Sequence, residues 1–172
     1  FMSQATRLFR TLAAQGMEPA EICTRMNDAL SDGNTTRMFV TFFLGLIDLQ
    51  TGHLDFCNGG HNAPLIVDAL GHADFIKMIP NLPIGIFPKF QYKGEEIDSV
   101  KGKSLFLYTD GLNEAENPEH RQFGNDRLLE IFKVSREVEA RQLIEQLASE
   151  VEKHRDGAEP NDDLTMMYLK IK

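Results

Sequence analysis

Long apolar runs, clustered basic residues and a cysteine framework are what this chain lacks, and each absence removes a class of function. No stretch of about 18 apolar residues occurs, so no segment reads as a membrane span or a membrane contact. The opening residues lack the pattern of a signal peptide as well. Lys and Arg never stand in groups larger than two neighbours, and the net charge is −8. A grip on nucleic acid depends on neutralising phosphates, so no nucleic-acid partner is expected. Two cysteines, Cys23 and Cys57, form neither a C-x-x-C motif nor a disulfide framework, which points to a reduced, cytoplasmic setting.

Several catalytic signatures are missing too. GxSxG, HExxH and the phosphate-binding P-loop are absent, and the acidic loops lack the alternating ligands of a calcium EF-hand. The segment "HRDGAEPN" (154–161) imitates a kinase catalytic loop, yet no D-F-G follows it and no GxGxxG precedes it. A motif without its context is not a site.

What is there suits one globular domain spanning residues 1–172, with 42% hydrophobic residues to build a core. Phe1, Ala5, Leu8, Phe9 and Leu12 follow helical spacing, with Gly16 as the stop. A second helix is expected from Glu18-Pro19, with Ile22, Met26, Ala29 and Leu30 on one face, broken at 31–34. The stretch 38–49 is nearly continuous in apolar, β-prone residues. It turns at Gln50-Thr51-Gly52 and returns at 53–58, as a hairpin does. Further strands are expected at 64–68, 74–79, 90–99 and 103–109, helices at 125–134 and 137–153, and a last strand from Leu164. Short connections between successive strands favour antiparallel pairing, so the class is α+β.

Two places concentrate polar groups. In "SLFLYTDGLNEAENPE" (104–119) an apolar run stops at Thr109-Asp110-Gly111, and in "NDDLTMMYL" Asp162 and Asp163 stand directly before the last strand. If these two strands are antiparallel neighbours, the carboxylates meet at one sheet edge. Hard cations such as Mg²⁺ and Mn²⁺ take such oxygen ligands. Asp and Gly are also ordinary turn residues at strand ends, and spacing alone leaves both readings open. In "CNGGHNAPLIV" (57–67), Gly59-Gly60 allows a sharp bend crowded by Asn58, His61 and Asn62. It reads either as a loop beside a phosphate or metal, or as a turn with His61 bonded to backbone. Cys57 reads as a core residue, and "IPNLPIGIFPKF" (79–90) as a Pro/Gly loop.

Taken in order, "MFVTFFLGLIDLQTGHLDFCNGGHNAPLIV", "LPIGIF", "LFLYTDGLNEAEN" and "NDDLTMMYLKI" resemble the metal-dependent (type 2C) serine/threonine phosphatases, in the bacterial branch typified by SpoIIE and RsbU. The resemblance implies an α-β-β-α sandwich of two antiparallel sheets flanked by helix pairs, with a binuclear Mn²⁺ or Mg²⁺ centre at one sheet edge. It implies that Asp110 and Asp162 bind metal and act in catalysis. Asp163 would support them from behind, and Asn58 and His61 would lie near the metal or phosphate. His61 falls where many relatives carry an accessory-metal Asp, which puts a third metal in doubt.

Relatives of this kind begin with strands bearing two G-D motifs, and "FMSQATRLFRTL" resembles the helix that follows them. The expectation is therefore an N-terminally incomplete domain, weak in metal binding and in turnover. The implied activity is hydrolysis of phosphoserine or phosphothreonine on a regulatory protein such as an anti-sigma-factor antagonist. The alternative is a non-catalytic interaction module of the same fold, and either reading leaves room for a homodimer.

Overall fold

The computed structural model describes residues 1–135 and 138–172. Its helices are α1 (Met2–Ala13), α2 (Pro19–Ser31), α3 (Asp110–Asn113), α4 (Asn125–Val134) and α5 (Ala140–Arg155). Its strands are β1 (Phe42–Ile47), β2 (Leu54–Gly59), β3 (Leu65–Val67), β4 (Ala73–Phe75), β5 (Glu95–Ile97), β6 (Ser104–Tyr108) and β7 (Met166–Lys170). The chain divides into two compact units, Phe1–His61 with Lys77–Val100, and Asn62–Ile76 with Lys101–Lys172. Each unit carries one antiparallel sheet, the first with helices α1 and α2 and the second with α3, α4 and α5, so the α+β class holds. No helix among the described residues is long and apolar enough to cross a membrane.

In the first unit the sheet order is β1-β2-β5. The expected hairpin forms, pairing Phe42 with Gly59 through Ile47 with Leu54. Its turn is set by Asp48, whose carboxylate accepts from the amides of Gln50 (2.7 Å) and Thr51 (3.0 Å). The apolar faces of α1 and α2 bring Ala5, Leu12, Ile22, Met26 and Leu30 into one cluster with Cys57, Ile84 and Tyr92. Cys57 is a core residue, as read from sequence. Its hydrogen bond with Cys23, together with burial, holds the Cys23 thiol protonated.

Three strands are markedly shorter than their sequences suggest, and in each case other partners take backbone donors. The strand expected at 74–79 is β4, Ala73–Phe75, because the Ile76 amide goes to Pro64 O (2.9 Å) and the Ile79 amide to Glu95 Oε2 (2.6 Å). β1 starts at Phe42 because Val40 pairs instead with Ile84 (N···O 3.0 and 2.9 Å) and the Met38 amide bonds Asn34 Oδ1 (3.1 Å). β5 covers only Glu95–Ile97, since the amides of Tyr92 and Lys93 go to Thr24 Oγ1 (3.1 Å) and Asn81 Oδ1 (3.0 Å). The Pro/Gly loop is pinned from α2 by fully buried Asn27. Its Nδ2 donates to Phe87 O (2.8 Å), and its Oδ1 accepts from Gly85 N (2.9 Å).

The second unit has the order β4-β3-β6-β7, antiparallel throughout. α4 matches the expected 125–134, while α5 runs Ala140–Arg155; Glu137, at the start of the expected 137–153 helix, lies outside the described residues. Phe106, Leu112, Leu128, Phe132, Leu143 and Leu147 form the core, with the Phe106 ring 5.0 Å from that of Phe132 and 5.5 Å from that of Tyr108. The false kinase motif closes α5. His154 there accepts at Nδ1 from Arg127 (3.1 Å) and donates from Nε2 to Arg121 O (2.8 Å), a structural use.

Replacing Asn27 by Leu keeps the volume but strands the Gly85 amide and the Phe87 carbonyl. A loss of about 1–3 kcal/mol is expected, read as a lower urea midpoint with an unchanged slope.

Candidate functional site

The pairing needed to bring the acidic segments together is present. β6 and β7 are antiparallel neighbours, with Tyr108 opposite Met166, so the end of one and the approach to the other share a sheet edge. Asp110, for which the sequence left a strand-end turn and a cation ligand both open, is the first residue of the single-turn helix α3, and its carbonyl accepts from Glu114 N (2.8 Å).

Thr109 ties this turn to the distant acidic segment. Its Oγ1 donates to Asp163 O (2.8 Å) and accepts from Thr165 N (2.9 Å), while its own amide donates to Thr165 O (3.0 Å). Asn161 Nδ2 adds a bond to Glu114 O (2.9 Å). Between these bonds Gly111 packs against the acidic backbone. A β-carbon there would collide with the Asp163 carbonyl oxygen, lie 2.7 Å from its carbon and 3.2 Å from Asp162 O. Glycine follows Asp110 because the two chain segments touch.

Asp110, Asp162 and Asp163 are all exposed. Asp110 Oδ1 accepts from Gly111 N (3.1 Å) and Asp162 Oδ1 from Asp163 N (2.7 Å), so each commits one oxygen to its own turn. Among the described residues no Lys, Arg or His makes an ion pair with any of the three. Oxygen donors without a cationic side chain are the donor chemistry that Mg²⁺ and Mn²⁺ require, so these residues fit such an ion. Just before them, burial pushes the Tyr108 phenol up to about 12, and this neutral hydroxyl donates to Asn125 Oδ1 (3.4 Å).

Asn58 and His61 belong to the other unit. Both ends of the Asn58 amide are spent on the His61 backbone: Nδ2 donates to His61 O and Oδ1 accepts from His61 N, each at 2.8 Å. The bend is thus closed by the Asn58 side chain on the His61 backbone. Gly60 within it has φ +75°, and a β-carbon there would stand 2.7 Å from Pro83 Cγ. The His61 ring meets Thr41 Oγ1 at 3.3 Å.

Sequence reading missed one cluster altogether. His53 Nε2 lies 3.1 Å from Asp55 Oδ1 and 3.6 Å from Glu96 Oε2. The alternating H-x-D pattern was visible in the hairpin, but Glu96 joins only through the register of β2 with β5. The hydrogen bond to Asp55, with the charges of Asp55 and Glu96, raises the His53 pKa above its usual 6.5.

The α+β fold, with its two antiparallel sheets, matches that of PP2C phosphatase domains. The PP2C domain of the cell fate determinant SpoIIE from Bacillus subtilis, solved with a fragment of its regulatory domain, superimposes with a TM-score of 0.77. The match covers 98% of this chain and 49% of that one at 23% identity, and it establishes the fold. Residues 1–172 match the Stage II sporulation protein E (SpoIIE) family from end to end, and the chain belongs to that family of phosphatase domains. Curated relatives include Protein IcfG of Synechocystis, 29% identical over 132 residues, or 77% of this chain and 20% of IcfG. The phosphoserine phosphatase RsbU of Bacillus subtilis is 21% identical over 173 residues, or 99% of this chain and 50% of RsbU. The chain thus spans half or less of these curated relatives.

Two outcomes follow for the described geometry. Gly111→Ala forces Asp162–Asp163 away from the α3 turn and is expected to cost about 1–3 kcal/mol in a denaturant titration. The His53 contribution has a definite pH sign. A raised folded-state pKa means that folding gains while the imidazole is charged, and the gain fades as pH climbs through the folded value. The melting-temperature advantage of wild type over His53→Gln is therefore expected to be fully present below the ordinary imidazole value of 6.5 and to fade as pH rises above it.

Proposed function

We propose that this chain carries the Asp110–Asp162 part of the metal centre of a metal-dependent phosphatase that hydrolyses phosphoserine or phosphothreonine on a regulatory protein, such as an anti-sigma-factor antagonist. The carrying observation is the interlock of the α3 turn with the Asp162–Asp163 segment at one sheet edge, where exposed carboxylates have no cationic side-chain partner among the described residues. Family membership along the whole chain supports the reaction class, and likeness to the phosphoserine phosphatase RsbU supports the type of substrate.

In this reading Asp110 and Asp162 hold Mn²⁺ or Mg²⁺ through carboxylate oxygens. Thr109 and Gly111 keep the two chain segments in register, and Asp163 contributes chiefly through its backbone carbonyl, which Thr109 holds. When bound, a divalent ion supplies an activated water and offsets charge on the phosphoryl oxygens. Asn58 shapes the Gly59-Gly60 bend through its two bonds to the His61 backbone.

The test is calorimetric titration of Mn²⁺ into the chain, with phosphoserine-peptide hydrolysis measured on the same samples. Binding is expected to weaken at least tenfold, about 1.4 kcal/mol, in both Asp110→Asn and Asp162→Asn. Any turnover is expected to fall with it. Equal binding in wild type and both variants would remove the metal role of this edge and favour a non-catalytic interaction module.

A further inference from the structure

The His53 cluster lies in the unit that does not contain Asp110, and it offers a cation one imidazole nitrogen and two carboxylates. β2 and β5 pair so that Asp55 stands directly opposite Glu96, with Leu54 opposite Ile97. His53 precedes Asp55 by two residues and so emerges on the same face. Leu54 and Phe56, between and after them, are buried on the opposite face. Two like charges directly opposed in a ladder destabilise the pairing unless something positive stands between them.

Here both carboxylates converge on a single atom, His53 Nε2, and the three potential ligand atoms lie within 4.8 Å of one another. A neutral imidazole presenting a lone pair to two carboxylates would be repelled. Nε2 therefore carries a proton or faces a metal ion. Around the His53 ring runs a groove that includes Asp48 and Asp98, which adds negative potential. Asp48 is not among the three residues whose ligand atoms lie within 4.8 Å of one another. The side chains of His53, Asp55 and Glu96 are 33%, 32% and 68% exposed, so an ion can enter and keep water in its remaining positions.

We propose that His53, Asp55 and Glu96 form a Zn²⁺ site that clips β2 to β5, separate from the metal centre at Asp110. One imidazole with two carboxylates is a nitrogen-and-oxygen set suited to zinc, whereas the all-oxygen set at Asp110 favours Mg²⁺ or Mn²⁺. The exchange balances simply: aqueous Zn²⁺ enters, and the proton on Nε2 leaves to solvent. Because β5 is only three residues long, the clip strengthens a ladder that has few backbone bonds of its own.

Zinc titration of the chain tests this, followed by calorimetry and by thermal melting with and without the metal. Wild type is expected to bind one Zn²⁺ and to melt higher when loaded. His53→Gln and Glu96→Gln are each expected to weaken binding at least tenfold and to abolish the melting shift. Asp110→Asn is expected to leave both unchanged, which separates this site from the proposed phosphatase centre. Glu96→Gln is an isosteric change at an exposed position, so its folding, checked by circular dichroism, guards against a trivial loss. Zinc binding that survives both cluster variants would overturn the proposal. So would its loss in Asp110→Asn alone, or no binding by wild type.

Discussion

The hydroxyl of Thr109 is the contact on which the acidic edge depends. One side chain donates to the Asp163 carbonyl and accepts from the Thr165 amide, joining segments more than fifty positions apart, |i−j| being 54 and 56. The bond forms only because β6 and β7 are paired, and that pairing holds because Phe106 and Tyr108 are buried against α4 and α5. Core packing in the second unit thus fixes where Asp110 and Asp162 stand. The close approach of Gly111 to the Asp162–Asp163 backbone leaves little slack for either segment to move independently.

The first unit solves a different problem with the same chemistry. Its loops are long and poor in regular structure, and amide side chains hold them: Asn27 to Gly85 and Phe87, Asn58 to His61, Asn81 to Lys93, Asn34 to Met38. An amide can donate and accept at once, so each Asn closes a small ring with backbone that would otherwise lack partners. The same economy shortens β1 and β5, because donors claimed by side chains cannot join a ladder.

Helix limits were legible because their signals are local: Pro19 at the first position of α2 and the apolar periodicity of α4. The β1–β2 hairpin and the succession of strands along the chain were legible from turn residues and runs of apolar, β-prone residues. The acidic edge was half legible. Asp and Gly beside apolar strands marked the positions, but their meeting required the β6–β7 pairing to be assumed. The helical turn α3 is only four residues long and too short to show a period. Asn27 and the His53 cluster escaped for a related reason, since Asn27 reaches Gly85 across 58 positions and Glu96 reaches Asp55 only through register. Spacing along a chain carries no trace of such contacts. The family resemblance supplied what spacing could not, and the full-length match to the SpoIIE family bears it out.

The most direct measurement of the central claim is paramagnetic broadening by Mn²⁺ in a ¹H–¹⁵N spectrum of the assigned chain. Substoichiometric Mn²⁺ is expected to erase first, and together, the amide signals of Asp110–Leu112 and Asp162–Leu164, two segments distant in sequence that the Thr109 bridge and the β6–β7 pairing bring to one edge. Broadening of one segment without the other, or of neither while distant amides fade, would contradict a shared metal edge.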